Sequence, residues 1–417
     1  MGAPPIVVCM SHASKTSDLR PTRRRLPWIA TTVLIGALTL SGCATAATTS
    51  NSTSSATATS SSSTSTASTT ADAATTAETI SSTSDAAEAF LATLTDEQRE
   101  AVLYDYDDET KTTSWSNFPV TFVERAGLNL ADLTDEQQAA AMKVLEALLS
   151  EEAYATVTGI MNGDQYLLEN SSSTEDSLGQ YYIAFFGDPS DTSSAFEVQF
   201  GGHHLGINAT LDGTADAITF APTHLGVQPA VYTDEDGNEV QPFDGIYTDA
   251  FAFFDSLTAE QQATLTSGDV SMCAPGDTCD FSTGSGLTGA DLTDEQKELL
   301  LDLIENWSGM ADEETTATTR AEIEATLDET VIAWSGETTY DMTTGNGINF
   351  SISGPNVYVA LQAQQGSAGA DVAGVTTSGW GHVHTIYRDP SNDYANSVEQ
   401  QASAGMSGGP GGGAPGN

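Results

Sequence analysis

The sequence predicts an α+β fold built from two internal repeats, each a helical hairpin followed by a small antiparallel β-meander. Two observations support this prediction. The motif L-T-D-E-Q begins at Leu94, Leu133 and Leu292, and its variant L-T-A-E-Q begins at Leu257. After each pair of motifs come runs in which apolar and polar residues alternate, which is the period of a strand with one buried face. Self-similarity on this scale indicates a duplicated unit packed as one domain.

The L-T-D-E-Q motif is a helix start. Threonine caps the first turn, the acidic residues suit the positive end of the helix dipole, and glutamine can close a capping box. Amphipathic patterns follow Gln137 and Gln296, and the motifs that contain these two residues have similar lead-ins, G-L-N-L-A-D and G-L-T-G-A-D. We therefore expect four helix starts arranged as two pairs.

The strand-like runs also match in pairs. Y-Y-I-A-F-F-G-D-P from Tyr181 parallels E-T-V-I-A-W-S-G-E from Glu329. F-E-V-Q-F-G-G-H-H-L-G-I from Phe196 parallels I-N-F-S-I-S-G-P-N-V-Y-V from Ile348. Glycine or Gly-Pro in the middle of the second pair indicates β-hairpins. A third strand is expected at 216–222.

The two copies differ at the hairpin turn. His203 and His204 lie opposite Pro355 and Asn356, so only one copy carries histidines there. Divergence of polar residues on a repeated scaffold is expected if one composite site forms between the halves.

Residues 1–43 have the pattern of a lipoprotein signal peptide. Basic residues precede an apolar run at 26–40, and the sequence L-S-G-C ends at Cys43. These four residues resemble the lipobox of bacterial lipoproteins, in which the cysteine is lipidated. The apolar run is shorter than the roughly 20 residues of a membrane-spanning helix. We expect a mature chain that a lipid on Cys43 anchors to the cell membrane, facing the extracytoplasmic side.

The composition divides the remaining chain into three parts. Residues 44–85 are almost entirely Ser, Thr and Ala, which predicts a disordered stalk because too little apolar surface is available for burial. Residues 401–417 form a Gly/Pro-rich tail that is also predicted to be disordered. Between them, 86–400 is expected to be a single duplicated α+β domain.

The charge of the chain limits its partners. It has 58 acidic and 12 basic residues, a net charge of -46. Such a surface repels phosphate groups, which excludes nucleic acid as a partner. We expect contact with the membrane through the lipid anchor only, and no pattern identifies a protein partner.

Cys273 and Cys279 lie in C-A-P-G-D-T-C. In an exported chain this spacing predicts a small disulfide loop. A metal site would need two more soft ligands nearby, and the neighbouring sequence has none.

Two histidine pairs are the candidate metal ligands. His382 and His384 are separated by Val383, so on a strand both imidazoles would share a face. His203 and His204 are adjacent, so on a strand only one of them could join that pair. Three imidazoles with an open position suit a divalent metal such as zinc, copper or iron. The alternative is that these histidines are packed and hydrogen-bonded parts of the sheet.

Charged residues follow the second pair. Arg388 could clamp a carboxylate ligand, or it could form an internal ion pair while Asp389 starts a turn at Pro390. Asp389 or Asp393 could also be a further metal ligand or orient an imidazole.

Five segments, in order, resemble one bacterial family. They are W-S-N-F-P (115–119), R-A-G-L-N-L-A-D-L-T-D-E-Q (125–137), Y-Y-I-A-F-F-G-D-P, F-G-G-H-H-L-G-I-N and H-V-H-T-I-Y-R-D-P-S-N-D-Y. The family is catalogued as domain of unknown function 3500 and contains secreted and lipid-anchored proteins. The resemblance covers nearly all of 86–398. The family has no established activity, so the resemblance implies a fold and export but no mechanism.

The family's motifs map onto this chain residue by residue. Its G-H-H corresponds to 202–204, and its H-x-H, W-R-D and N-D correspond to His382, His384, Tyr387, Arg388, Asp389, Asn392 and Asp393. Tyr387 replaces the usual tryptophan. His224 lies where an aromatic residue is more usual, which favours a structural role for it.

Two functions are left open. The first is a surface lipoprotein with a histidine-built metal site that acts as a metal-dependent enzyme. The second is a non-catalytic extracellular module that binds a ligand or partner. The sequence contains no G-x-S-x-G, Walker or H-E-x-x-H motif, which leaves the histidine pairs as its strongest chemical signal.

Overall fold

A mixed β-sheet of twelve strands runs through the protein. The computed structural model describes residues 74–266, 270–276, 281, 285–366 and 368–399. The predicted signal peptide, the tail and the two residues Cys43 and Cys279 lie outside these ranges. Lipidation of Cys43, the disulfide and the disorder of 401–417 therefore stay predictions.

Eight α-helices lie in the described part of the chain, and with the sheet they confirm the predicted α+β class. They are α1 (Thr76–Ala92), α2 (Asp96–Val102), α3 (Asp135–Leu148), α4 (Glu151–Asn170), α5 (Asp244–Ser256), α6 (Ala259–Gln262), α7 (Asp294–Ser308) and α8 (Glu313–Glu324). Helix α1 packs against α3, and α5 packs against α7. No helix among the described residues combines the length and apolar character that a membrane span requires.

The strands are β1 (Leu103–Tyr104), β2 (Leu128–Asn129), β3 (Tyr182–Phe186), β4 (Ala195–Gly201), β5 (Leu205–Asp212), β6 (Ala217–Thr219), β7 (Thr223–Val227), β8 (Tyr232–Thr233), β9 (Glu239–Val240), β10 (Leu287–Thr288), β11 (Val331–Gly336), β12 (Ile348–Ser353), β13 (Tyr358–Gln364) and β14 (Gly379–Arg388). The main sheet has the order β1-β3-β4-β5-β7-β14-β13-β12-β11-β10, with β2 on β3 and β6 on β5. Strands β8 and β9 form a separate hairpin. The predicted small meanders are thus parts of one continuous sheet.

Each L-T-D-E-Q-type motif caps a helix, as predicted. In all four, the threonine side chain accepts from the backbone N–H of the glutamine three residues later, and the glutamine side chain accepts from the threonine N–H; the threonines are Thr95, Thr134, Thr258 and Thr293. The glutamines also bond to each other within a pair. Gln137 Nε2 donates to Gln98 Oε1 at 3.0 Å. Gln261 Nε2 donates to Gln296 Oε1 at 2.8 Å.

Helix α1 corrects the predicted start of the folded unit. It begins at Thr76, inside the segment 44–85 for which the sequence predicts disorder. Thr75 and Glu78 form a capping box at its start. Ile80 is buried, and the hydroxyl of Ser84 donates to Pro189 O at 2.6 Å. Ser/Thr-rich sequence can therefore pack here, because its hydroxyls bond to main-chain carbonyls.

The predicted third strand at 216–222 is also corrected. The chain forms β6 there, is interrupted at Pro222, which has no N–H to donate to a ladder, and continues as β7. Strand β7 pairs with β5 on one side and with β14 on the other, both antiparallel. It therefore joins the two strand groups into one sheet.

The sheet has an apolar face and a polar face. On β4, Phe196, Val198 and Phe200 belong to the main apolar core, while Glu197 and Gln199 alternate with them. The polar face is also buried. Lys111 forms an ion pair with Glu197, and the Ser114 hydroxyl donates to Gln199 Oε1. The histidines described next share this polar face.

Candidate metal centre

The first histidine pair forms the turn between β4 and β5. Gly202 N–H donates to Leu205 O at 2.8 Å, so His203 and His204 lie between the two strands. Their rings stack with centroids 4.2 Å apart and planes 21° apart. The expectation that only one of them can face the cluster is wrong, because it assumed strand geometry for residues that form a turn.

The second pair lies on β14. His382 and His384 point to the same face, and their Nε2 atoms are 3.3 Å apart. Val383 points the other way into the main apolar core. The prediction from strand alternation is confirmed for this pair.

The order β5-β7-β14 brings the two pairs together. The ring centroids of His204 and His384 are 5.2 Å apart, and those of His204 and His382 are 5.6 Å apart. His203, His204 and His384 each offer a ring nitrogen, and these atoms lie within 4.8 Å of one another. The three residues are 6%, 0% and 2% exposed. This buried group could hold a metal ion.

Gly226 on β7 makes room for this convergence. It is the register partner of His384. A Cβ atom at this position would lie 2.9 Å from His384 Cδ2 and 3.3 Å from His204 Cδ2. Only glycine lets both rings come this close to the strand between them.

A buried carboxylate orients His204. Asp164, on α4, places Oδ1 2.7 Å from His204 Nδ1, and its Oδ2 accepts a hydrogen bond from the Tyr181 hydroxyl at 2.7 Å. His204 Nε2 is buried and has no hydrogen-bond partner among the described residues. Asp164 therefore holds Nδ1 and leaves Nε2 as the ring nitrogen available to a ligand.

A second carboxylate lies beside His203. Glu175 Oε1 is 2.7 Å from His203 Nδ1, although the ring nitrogen is not in hydrogen-bonding geometry. The Glu175 side chain is 26% exposed, so it marks the side of the cluster nearest to solvent. Burial alone would raise the pKa of Glu175, but contact with His203 outweighs this and lowers the pKa to about 2.

Gln364 on β13 contacts the remaining nitrogen of His384. Gln364 Nε2 lies 3.2 Å from His384 Nδ1 and also 3.1 Å from Gln362 Oε1. In this orientation the amide donates to Nδ1, so the proton of a neutral His384 is on Nε2 and can point at His382. Rotation of the amide would let Gln364 accept from Nδ1 instead and would free Nε2.

Burial favours neutral imidazoles in most of the cluster. It lowers the pKa of His382 to about 3 and lowers the pKa of His384 well below its usual value, with neighbouring histidines adding to the effect. The pKa of His203 is lowered for the same reasons. Burial would also lower the pKa of His204, but Asp164 outweighs it and raises the pKa. Neutral imidazole is the form that binds metals.

His224 has a different role from the four clustered histidines. Its Nδ1 lies 2.8 Å from Thr385 O and its Nε2 lies 3.1 Å from His203 O. Both ring nitrogens therefore face main-chain carbonyls and are not available to a metal. Burial lowers the pKa of His224 to about 3. These contacts agree with the structural role that the sequence favours.

The R-D-P-S-N-D segment bonds mainly to itself. Arg388 Nη2 lies 2.7 Å from Asp393 Oδ2, and its Nη1 donates to Cys273 O. Asp389 Oδ1 accepts from Ser391 N–H at 2.8 Å, which closes a turn. These contacts match the alternative of an internal ion pair, made with Asp393 rather than with Asp389. None of these hydrogen bonds reaches a clustered histidine.

The sequence interpretation missed Asp164, Glu175 and Gln364. Asp164 had a signal, because it shares a buried helix face with Val157, Ile160 and Leu167, where an apolar residue is expected. A carboxylate on such a face needs a polar partner. Glu175 lies in a polar run with no periodic pattern, so nothing distinguished it.

The chain was also compared with known proteins. The model of a family described as "Protein of unknown function (DUF3500)" matches residues 76–396. No curated protein and no solved structure matches the chain. The matched range begins at the first residue of α1 and ends just after Asp393, so it includes both histidine pairs and their carboxylate neighbours. The chain therefore belongs to the DUF3500 family of proteins of unknown function.

Proposed function

We propose that this protein is a lipid-anchored, extracytoplasmic metalloprotein that holds a divalent transition metal between His203, His204 and His384, with His382 beside them. One observation carries the proposal. Two histidine pairs from distant parts of the sequence meet in a buried position, and the buried Nε2 atom of His204 has no hydrogen-bond partner among the described residues. A buried polar atom without a partner is costly unless a ligand completes it.

The distances suit metal binding after a small contraction. Nitrogen ligands about 2.0–2.1 Å from a tetrahedral ion are about 3.3 Å from each other. The Nε2 atoms of His382 and His384 are already 3.3 Å apart. The wider group of His203, His204 and His384, spread over up to 4.8 Å, would move inward.

The donor set favours zinc, copper or iron. Imidazole nitrogen suits these ions, whereas calcium and magnesium prefer oxygen. Asp164 and Glu175 lie against His204 and His203, where their charges would balance that of the ion. Carboxylates that bond to ligand imidazoles also fix their orientation.

The number of imidazoles that bind decides between the two functional classes. Three imidazoles leave a position for water or substrate, and the metal then supplies Lewis-acid or redox chemistry. Glu175, at the solvent side, is the group that would meet a substrate there. If His382 takes the fourth position, the site is closed, which favours a non-catalytic binding module. The 3.3 Å contact between His382 and His384 supports this second candidate.

The proposal also includes an internal duplication. The two capping-glutamine pairs, the two helix pairs α1–α3 and α5–α7, and the strand order on either side of β7 and β14 support it. The metal would then lie where the two copies join. The anchor at Cys43 and the extracytoplasmic location rest on the signal-like sequence alone.

Metal analysis of the purified protein is the first test. We expect about one equivalent of bound zinc, copper or iron after exposure to each ion and removal of excess. Less than about a tenth of an equivalent for all three would contradict the proposal, because a tight site retains its ion.

Substitution of single histidines identifies the ligands. His204→Ala and His384→Ala should each abolish tight binding, while His382→Ala should keep it if three imidazoles suffice. His224→Gln is the comparison variant, because the ring nitrogens of His224 face main-chain carbonyls and offer no ligand. It should keep the metal, with at most a weaker affinity, since its Nε2 faces His203 O and its ring centroid lies 5.2 Å from that of His384. Retention of metal by both His204→Ala and His384→Ala would show that the ligands lie elsewhere.

A further inference from the structure

Arg125 is a buried arginine whose hydrogen-bond acceptors, in the part of the chain that the structure describes, are all main-chain carbonyls. Its Nε and Nη2 atoms donate to Gly202 O at 3.1 and 2.7 Å. Nη2 also lies 2.8 Å from Ser116 O and 2.6 Å from Phe118 O, so its two N–H groups are shared among three carbonyls, and Nη1 donates to Val123 O. Burial lowers the pKa of Arg125 to about 9. A buried cation without a carboxylate is costly, so its position needs an explanation.

The acceptor Gly202 directly precedes the two turn histidines. Its N–H donates to Leu205 O at 2.8 Å, and its carbonyl receives both bonds from Arg125. Both main-chain polar groups of Gly202 are thus held. A Cβ at this position would lie 2.3 Å from Gln180 O, so the main chain is also closely packed here.

The other acceptors of Arg125 belong to residues 115–123, a covering segment that lies on the polar face of the sheet. Ser116 in this segment donates its hydroxyl to Pro275 O at 2.6 Å. Trp115 lies over β5, where a Cβ at Gly206 would be 3.3 Å from its ring. One guanidinium therefore connects the covering segment with the histidine turn.

We propose that Arg125 is a positioning residue of the metal centre, which holds the Gly202 carbonyl and thereby fixes the orientation of the turn that carries His203 and His204. The inference rests on the proposed metal function for its effect on affinity. The planar guanidinium donates at once to Gly202 O, next to the histidine turn, and to carbonyls of the covering segment. An ammonium group is a point donor and cannot reproduce this fork.

The test compares Arg125→Gln and Arg125→Lys with wild type, using Co²⁺ and Zn²⁺ as probes. We expect Arg125→Gln to bind both ions about 10- to 100-fold more weakly, as for other residues that support ligands. Arg125→Lys should recover only part of this loss. The visible spectrum of bound Co²⁺ should also change, which a general loss of stability in a folded variant would not cause.

Arg320→Gln is the matched control. It removes the same charge from a surface arginine that pairs with Glu298, Asp302 and Glu305. Its affinity and Co²⁺ spectrum should equal those of wild type. Folded Arg125→Gln with wild-type affinity and spectrum would overturn the inference.

Two further measurements separate this inference from the proposed function. The His204 Nδ1 proton, held against Asp164 at 2.7 Å, should give a downfield NMR signal that shifts in Arg125→Gln but not in Arg320→Gln, with no metal added. An unchanged signal would overturn the positioning role even if wild type binds no metal. If the Arg125 variants do not fold, the Arg125 Nε–H signal of wild type should shift when Zn²⁺ is added to protein that metal analysis shows to bind it. A signal that does not move although Zn²⁺ is bound would also overturn the role.

Discussion

Asp164 connects a tyrosine with a candidate metal ligand. It accepts the Tyr181 hydroxyl on one oxygen and contacts His204 Nδ1 on the other, both at 2.7 Å. Such a carboxylate holds the imidazole in the tautomer whose Nε2 is free and makes that nitrogen more basic. The residue is 1% exposed, so water does not compete for these bonds.

We expect Asp164→Asn to weaken metal binding about 10- to 100-fold. The amide keeps the size of the side chain but removes the negative charge and one of the two acceptors. Competition with a chelator of known affinity measures the change. Asp249→Asn is the control, because Asp249 is a part-buried helical aspartate that bonds to Asn306 rather than to a histidine. Equal affinities in the two variants would remove Asp164 from the site.

At the scale of single residues, the sequence was informative about histidines, which are few in this chain and can bind metals. Its four candidate histidines lie near one another, and three of them, His203, His204 and His384, form the group that could hold a metal. It could not predict that His203 and His204 both face the cluster, because this depends on a turn. Asp164 and Gln364 were missed because their roles follow from which elements pack together, and that information is not local.

Strand β7 is the element on which the site depends. It lies between β5 and β14, so the rings of the two histidine pairs meet over it. Gly226, the register partner of His384, has no side chain and leaves that space free for the rings.

Gly226→Ala should therefore disrupt the site more than the fold. The added Cβ would lie 2.9 Å from His384 Cδ2 and 3.1 Å from Val383 O. We expect a loss of about 1–3 kcal/mol in the free energy of unfolding, typical of overpacking, together with reduced metal occupancy. Urea unfolding and metal analysis measure these effects.

Gly245→Ala is the control for this substitution. Gly245 lies on α5, where the nearest atom to an added Cβ is Asn306 Oδ1 at 3.4 Å. Alanine in a helix should leave stability unchanged or raise it slightly. Wild-type stability and metal occupancy in Gly226→Ala would show that the rings can shift without harm.

Helices that begin with an L-T-D-E-Q-type motif were predictable from the sequence, whereas α1 was missed although Thr75 and Glu78 form a capping box at its start. The four capping motifs each start a helix, although α6 extends only from Ala259 to Gln262. Helix α1 was missed because Ser, Thr and Ala composition resembles that of a linker. Its stability comes from packing on α3, which composition does not reveal.

At the scale of the whole molecule, α1 contacts α8, a helix far away in the sequence. The Thr76 hydroxyl lies 3.0 Å from the Thr315 hydroxyl on α8 and donates to Asp312 Oδ1 at 3.2 Å. The first half of α1, residues 76–85, therefore contacts α8, the last α-helix in the described part of the chain.

A chain that begins at residue 86 should be less stable than one that begins at residue 74. It loses the buried Ile80 and the hydrogen bonds of Thr76 and Ser84. We expect the free energy of unfolding to fall by at least about 3 kcal/mol, from about 1.5–3 kcal/mol for the side chain and about 1 kcal/mol for each hydrogen bond. Urea denaturation of both chains measures the difference. Equal midpoints would show that the first ten residues of α1 contribute nothing.

The junction between β7 and β14 also sets the order of assembly. His204 and His384 are separated in the chain by α5, α6, α7 and α8. Contacts between such distant segments form late, because a long loop must close first. A metal centre built from both histidine pairs would therefore not form on a partly synthesised or half-folded chain. The ion would come from the compartment in which the chain folds. Metal binding would then indicate that the segments carrying His204 and His384 have packed together.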